Sequence, residues 1–375
     1  MIQSDQIMDQ INGLNGDEVF FATSFGLSSY NYNEVWTTQH INRDNISAGL
    51  LDDYITAMEY DADGNLWLGY PGGIQIYNGR DYQTIRDQQI LKDPRINDLQ
   101  LWNNDMWVAT GNAAIHRYHA GTWTWFQPMT KDGPGFYEID SMVVDPVSNA
   151  LVIATKNEGL WIIRSPEDPI RFELLAGKFT SLGQMEHARR DPAGGVYFFD
   201  RSSVVHFQTD TGFVPVLTNK DLSTVEIAIN DVASAPDGKL YIGTDDGLFI
   251  WDKGTVYRHL NRFEGIGTSP AVRTVYVDAG NRVWFSTPGY VGYYMDSVPE
   301  NHIRIDLVTP VANQASFQTT QPLSMTPPAS PIITGATPAG STAVSGSAAK
   351  NSSIFDPVTG IINTLSGIFG IRIFN

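Results

Sequence analysis

Ile55-Thr56-Ala57-Met58, Asp63-Gly64-Asn65-Leu66-Trp67-Leu68-Gly69, Gly72-Gly73-Ile74-Gln75-Ile76-Tyr77 and Asp81-Tyr82-Gln83-Thr84-Ile85 follow one another along the chain. The order reads as four short strands separated by tight turns. Asp63-Gly64-Asn65 supplies the positive-φ residue that a short hairpin needs, and the apolar and aromatic runs on either side supply the strands. The glycine before the third strand serves a second reversal.

Working outward, the aromatic of the second strand recurs as Phe20, Trp67, Trp107, Tyr197, Tyr241 and Trp284, with Val152 in its place once. The turn after it recurs as Thr23-Ser24-Phe25-Gly26-Leu27, Thr155-Lys156-Asn157-Glu158-Gly159-Leu160, Thr244-Asp245-Asp246-Gly247-Leu248 and Thr287-Pro288-Gly289-Tyr290-Val291. Seven copies fill residues 1–308. A four-stranded unit of roughly 40 to 47 residues cannot bury both faces of its sheet alone, so it stacks on copies of itself. Sheet twist closes such a stack into a ring. The expectation is an all-β chain, a seven-bladed β-propeller of four-stranded antiparallel blades. A right-handed β-helix has much shorter repeats, and two β-sandwiches would not keep one period.

Composition changes once, near Thr309. Of the 43 residues from Val311 to Ser353, 30 are Ala, Gly, Pro, Ser or Thr and Lys350 is the only charge, so this stretch cannot bury a core. Residues 309–353 read as a low-complexity linker arm and 354–375 as an apolar C-terminal segment. In the latter, Ile361, Ile362, Leu365, Ile368, Phe369, Ile371, Ile373 and Phe374 suit a short terminal helix starting at Asp356-Pro357. That apolar set is expected to be an assembly element, since left in water it would be an aggregation liability.

The pattern Ile-x-x-apolar, Asp-Gly-Asn-Leu-Trp-Leu-Gly, Gly-Gly-Ile-x-x-Tyr resembles the two-component-regulator propeller repeat, through residues 1–308. The resemblance implies a binding scaffold of the kind that forms the extracytoplasmic sensor half of hybrid histidine kinases. There, paired propellers commonly precede an immunoglobulin-like domain and a membrane helix. This chain departs from that plan in having one propeller and a Ser/Thr/Pro-rich tail. The virginiamycin-lyase-like propellers are a more distant resemblance, which keeps a channel-mouth lyase as a remote alternative.

The innermost strand of most copies opens with Ile-x-x-apolar, and its two variable positions are placed where strands converge on the central channel. The pairs are Asp9-Gln10, Thr56-Ala57, Asn97-Asp98, Asp140-Ser141, Glu186-His187, Asn230-Asp231 and Arg273-Thr274. They predict a polar, mostly acidic mouth, with Asp9, Asn97, Asp98, Asp140, Glu186, His187, Asn230, Asp231 and Arg273 as candidate ligand-binding residues. Such a mouth favours a cation or a polyhydroxy compound over an anion. His187 beside Glu186 is a candidate general base. The bland alternative is a solvated channel that binds nothing in particular.

Charge and cysteine usage remove whole classes of function. With 24 Lys plus Arg against 41 Asp plus Glu, the net charge of -17 argues against nucleic acid or an anionic membrane as partner. Zero cysteines exclude disulfides, thiolate metal sites and cysteine nucleophiles. No metal, cofactor or catalytic residue is expected. Asp61-x-Asp63-x-Asn65 begins like a calcium loop, but Gly72 stands where the final acidic ligand belongs. His116-x-x-His119 lacks a third ligand. Trp123-Thr124-Trp125-Phe126 reads as blade packing more readily than as a stacking surface for sugars. No run reaches the roughly 18 apolar residues of a spanning helix, and nothing before Met8 resembles a signal peptide, so a soluble chain without an integral membrane segment is expected.

The sequons at Asn45 and Asn351 are glycosylation candidates. Joined to the acidity and the tail, they point to an extracellular or cell-surface location. The function expected is therefore non-enzymatic: a structural or adhesive surface subunit that self-assembles, or meets a surface partner, through its tail. The alternative is a ligand-binding sensor module.

Overall fold

The computed structural model describes residues 2–31, 33–41, 49–296, 302–307 and 371–374. Seven blades, each of four consecutive antiparallel strands, follow one another along the chain, with a two-stranded ribbon of Met129–Thr130 and Gly133–Pro134 between the third and the fourth. Blade two shows the unit: Ala57–Tyr60, Leu66–Tyr70, Gly73–Tyr77 and Tyr82–Ile85, paired in that order. The inner strands of the seven blades are Ile7–Asn12, Ala57–Tyr60, Ile96–Trp102, Ile139–Val144, His187–Arg190, Ile229–Ser234 and Thr274–Val277. Among the described residues helix is confined to one short turn, Asn219–Leu222, and a 3-10 turn, Leu182–Gln184.

The core is seven seams rather than one centre. Each apolar cluster joins a blade to the next, and the last joins blade seven to blade one. Second strands lie between two seams and are buried on both faces, which is why they read as unbroken apolar runs. The recurring aromatic has one job throughout: Phe20, Trp67, Trp107, Tyr241 and Trp284, with Val152, pack in the seam toward the following blade, and Tyr197 lies against it in blade five.

The turn motifs have local reasons. Asp61 accepts from the backbone N–H of Asp63 and Asn65 and from the indole N–H of Trp67 at 2.9 Å. Asp278 does the same for Gly280, Arg282 and Trp284. The calcium-like stretch is thus a hairpin whose carboxylate is spent on its own turn, and among the described residues no group of three or more His, Asp or Glu side chains could hold a metal. Thr23, Thr155 and Thr244 donate to the carbonyls of Gly26, Gly159 and Gly247, closing the second reversal. Those glycines, like Gly73 at φ 133°, lie in the left-handed region, and a Cβ there would collide with the carbonyl oxygen of the outer strand.

The ring closes without a shared blade. Ile2 is buried with Phe21, Trp284 and Val291, and the Asp5 carboxylate accepts from Gly289 N–H at 2.7 Å. Ala279 N–H donates to Asn12. The N-terminal segment is therefore the clasp of the seam between blades seven and one.

The arm 309–353, the sequons at Asn45 and Asn351, and Ile361, Ile362, Leu365, Ile368 and Phe369 lie outside the described residues. Ile371–Phe374 does not continue a helix: it is a strand, added in parallel to the outer strand of blade seven, His302–Leu307.

Candidate functional site

The paired positions on the inner strands do converge, but most of their polar atoms are already in use. In the first position, Thr56 donates to the carbonyl of Ile96, Asn97 to that of Ile139 at 2.8 Å and Asn230 to that of Val272 at 2.9 Å. Each partner is the opening residue of the next blade's inner segment. In the second position, Asp98 accepts from its own Leu99 N–H and from Met142 N–H of the next blade. Asp231 accepts from Val232 N–H and from Val275 N–H, both at 2.9 Å. Ser141 accepts from Ala188 N–H at 2.8 Å. The two positions act together as an interblade latch, a donor and an acceptor for the backbone of the neighbour.

Blade one differs from its predicted register. Asp9 accepts from Gln10 N–H and from Met58 N–H of blade two, which is the second-position role. Met8, not Asp9, stands first, and Gln10 reaches Thr274 of blade seven instead. The turn after this strand is longer by one residue, so spacing from Phe20 shifts the pair. A bulge between Ile7 and Asp9, matched between Ile229 and Asp231, confirms the corrected alignment.

Of the remaining candidates, Asp140, His187 and Arg273 form ion pairs. His187 Nδ1 lies 2.6 Å from Asp140 of the preceding blade, not on its sequence neighbour Glu186. Burial pushes the His187 imidazole down, but the hydrogen bond and charge of Asp140 outweigh it, and its pKa lies above the ordinary value. Arg273 pairs with Asp5 at 3.4 Å.

Three residues that sequence reading passed over complete the bore: Glu59, Gln100 and Arg189. Each stands two residues beyond a second position, so strand alternation puts it on the same face, a signal that was there to be used. Gln100 donates to Glu59 at 3.2 Å. Arg189 engages Asp231 at 2.9 Å and feels the carboxylates of Asp140, Asp9 and Asp98, on blades four, one and three, so its guanidinium reaches into the bore. Burial pushes Asp9 up to about 6, Glu59 up to about 7 and Asp98 well above the carboxylate range.

His116 is fully buried and accepts from Lys92 N–H, with its pKa pushed down to about 4 by burial. His119 pairs with Asp105. Trp123 packs on Trp67 and Tyr118, and Phe126 stacks on Trp107, so two of the clustered aromatics are blade packing. Trp125 stays exposed, its indole N–H on the carbonyl of Ala113.

Residues 49–72, the best copy of the repeat, match the family described as two component regulator propeller. The chain carries that family's propeller repeat. No curated protein matches it. Among solved structures it is similar to the extracellular domain of a hybrid two component system from B. thetaiotaomicron, at 18% identity and a TM-score of 0.59, covering 75% of this chain and 37% of that one. It is also similar to PorZ, a surface component of the type-IX secretion system of Porphyromonas gingivalis, at 12% identity and a TM-score of 0.56, covering 76% of this chain and 46% of that one. A virginiamycin B lyase from Staphylococcus aureus is matched at 13% identity and a TM-score of 0.54, over 74% of this chain and 94% of that one. The chain spans less than half the length of the first two, and at such identities the likeness is one of fold. Among the described residues no helix is long and apolar enough to cross a membrane.

Proposed function

We propose that this propeller is a non-enzymatic recognition domain of the two-component sensor type, facing the outside of the cell and binding its ligand where the inner strands begin. The observation that carries the reading is the convergence there of side chains from separate blades. Asp140 and His187 bridge blades four and five, and Arg189 and Asp231 bridge blades five and six. Asp9, Asn97, Asp98, Asn230 and Asp231 latch each blade to the next, and Glu186 and Arg273 complete the proposed mouth. A rigid bore with a few accessible polar groups at one end is the usual form of a small-ligand site. Similarity in fold to an extracellular sensor domain supports it. Calorimetric screening of the intact chain tests it: a ligand whose binding survives Asp140→Ala plus Glu186→Ala does not bind at this mouth.

The structural or adhesive reading has one observation of its own. Ile371–Phe374 adds a strand to the outer edge of blade seven, and an edge that takes a strand from its own chain can take one from a neighbour. Deleting residues 354–375 and measuring mass by light scattering decides it, since an unchanged oligomeric state removes the assembly role.

A further inference from the structure

Blade five breaks the rule that the other blades keep. Across the ladder from the second position stand Ala22, Gly69, Ala109, Ala154, Gly243 and Ser286, all small, in blades one to four, six and seven. In blade five His187 faces Phe199. The His187 ring lies 5.1 Å from the Phe199 ring, and the Arg189 guanidinium carbon lies 5.7 Å from the same centroid. One aromatic ring thus supports an imidazole and a guanidinium side by side at the bore.

The two most exposed of the four paired side chains there are the basic ones, although Asp140 is also 31% exposed. Asp9, Asp98 and Asp231 each accept from two backbone N–H groups, and the Asp231 side chain is 6% exposed, against 42% for Arg189 and 40% for His187. Arg189 spends Nε and Nη2 on Asp231 and Nη1 on the carbonyl of Ala188. A guanidinium has five N–H groups, so one remains on Nη1 and one on Nη2. His187 spends Nδ1 on Asp140, which leaves Nε2.

We propose that Arg189 and His187 form a subsite for a small organic monocarboxylate, whose oxygens take the two remaining guanidinium N–H groups with the His187 Nε2–H beside them. The proposal rests on the recognition reading above and names its ligand class. A planar carboxylate matches a guanidinium fork in a way that a cation or a neutral polyol does not. Charge bears on the choice between anions: Arg189 is offset by Asp231, and Asp140 and the neighbouring Glu186 add negative charge beside His187, so a singly charged anion is repelled less than a doubly charged one. The other titratable groups facing the bore are Asp9, Glu59, Asp98 and Tyr276, with Arg190 near Glu59. An arriving anion favours their protonated forms, so binding is coupled to proton uptake and tightens as pH falls.

The test is an NMR titration of the Arg189 Nε–H signal in the full chain with acetate, benzoate, inorganic phosphate, ethylammonium and calcium chloride at several pH values from 5.5 to 7.5. Expected is a saturable response to both carboxylates, tightening by up to about tenfold per pH unit for one coupled proton. Phosphate at pH 7.5 should bind more weakly, and the two cations should give no response. Arg189→Lys, which keeps the charge opposite Asp231 but loses the fork, should weaken carboxylate binding by at least about tenfold at an unchanged melting temperature. His187→Gln should flatten the pH dependence above pH 6.5 and provides a second variant should Arg189→Lys fold poorly. Absence of a carboxylate response, indifference to both variants, or tighter binding of phosphate or a cation overturns the proposal. If a different compound binds in the calorimetric screen and is lost with Asp140→Ala plus Glu186→Ala, the carboxylate subsite fails while the recognition reading stands.

Discussion

Replacing Asp231 with Ala should be the most damaging single change on the inner strands. Its carboxylate accepts from Val232 N–H, from Val275 N–H of blade seven and from Arg189 of blade five, so three blades meet on one side chain. Leaving a buried backbone N–H without an acceptor costs about 1–3 kcal/mol. Arg189 is half exposed and can turn to water, so its loss adds only a fraction of the roughly 3–5 kcal/mol quoted for breaking a buried pair. A total of about 2–4 kcal/mol follows, which for a domain of this size lowers the melting temperature by roughly 3–6 °C. Asp140→Asn is the matched control. Asp140 is partly exposed and its recorded partner is His187, so the cost should stay below about 1 kcal/mol. Differential scanning calorimetry of the two variants separates the cases. If Asp231→Ala melts with the wild type, or no lower than Asp140→Asn, the latch is not what holds the inner strands.

Three further outcomes are expected. The folded-state pKa values of Asp9, Glu18 and Glu59, about 6, 7 and 7, lie above the ordinary carboxylate range because of burial. The folded protein therefore binds more protons than the unfolded chain between about pH 4 and 7, and stability should fall as pH rises through that window; Glu59→Gln should flatten the slope in urea melts taken across it. Gly73→Ala sets a Cβ against the Ile85 carbonyl at φ 133° and should cost more than about 1 kcal/mol, whereas Gly72→Ala, with open space around it, should be close to neutral in the same urea melts. A chain ending at Val308 should melt cooperatively as a monomer, and a broad or absent transition in calorimetry would count against an autonomous propeller.

How much was legible depended on whether a residue's job repeats. The seven anchors from Phe20 to Trp284 do one thing in every blade, and period alone exposed them. It also exposed the Thr and Gly of the second reversal, where a hydroxyl and a missing Cβ are needed three or four residues apart. The pair in blade one reads out of register because one extra turn residue lies between Asp9 and Phe20, and spacing from the anchor does not reveal the slip. The chemistry of the mouth was read from residue type, which counts carboxylates without saying where their lone pairs go. Asp98 and Asp231 look like ligands in sequence and are backbone acceptors in space. Asp140 was foreseen as a mouth residue, yet its partner lies on another blade, a contact that depends on ring closure and not on local order.

That contrast also explains why blade five carries the functional argument. In a ring of copies, a residue that keeps the pattern is explained by the pattern, so binding chemistry should be sought where the pattern fails. Phe199 replaces a small residue, His187 replaces a latch residue, and Arg189 puts a cation among positions held elsewhere by Ile11, Glu59, Gln100, Val143, Ala233 and Tyr276. The inner-strand ties of blade five to both neighbours run partly through ion pairs, to Asp140 on one side and Asp231 on the other, whereas Asp98 of blade three and Asp231 of blade six latch onto the backbone of the blade that follows. Ion pairs at a solvated bore respond to a bound charge, and backbone latches do not. A ligand on Arg189 would therefore share the guanidinium with Asp231, the residue that also holds blade seven. The seams between blades five, six and seven are the part of the ring whose stability should change on binding. Hydrogen exchange at Val275 N–H, read with and without a bound carboxylate, reports that coupling directly.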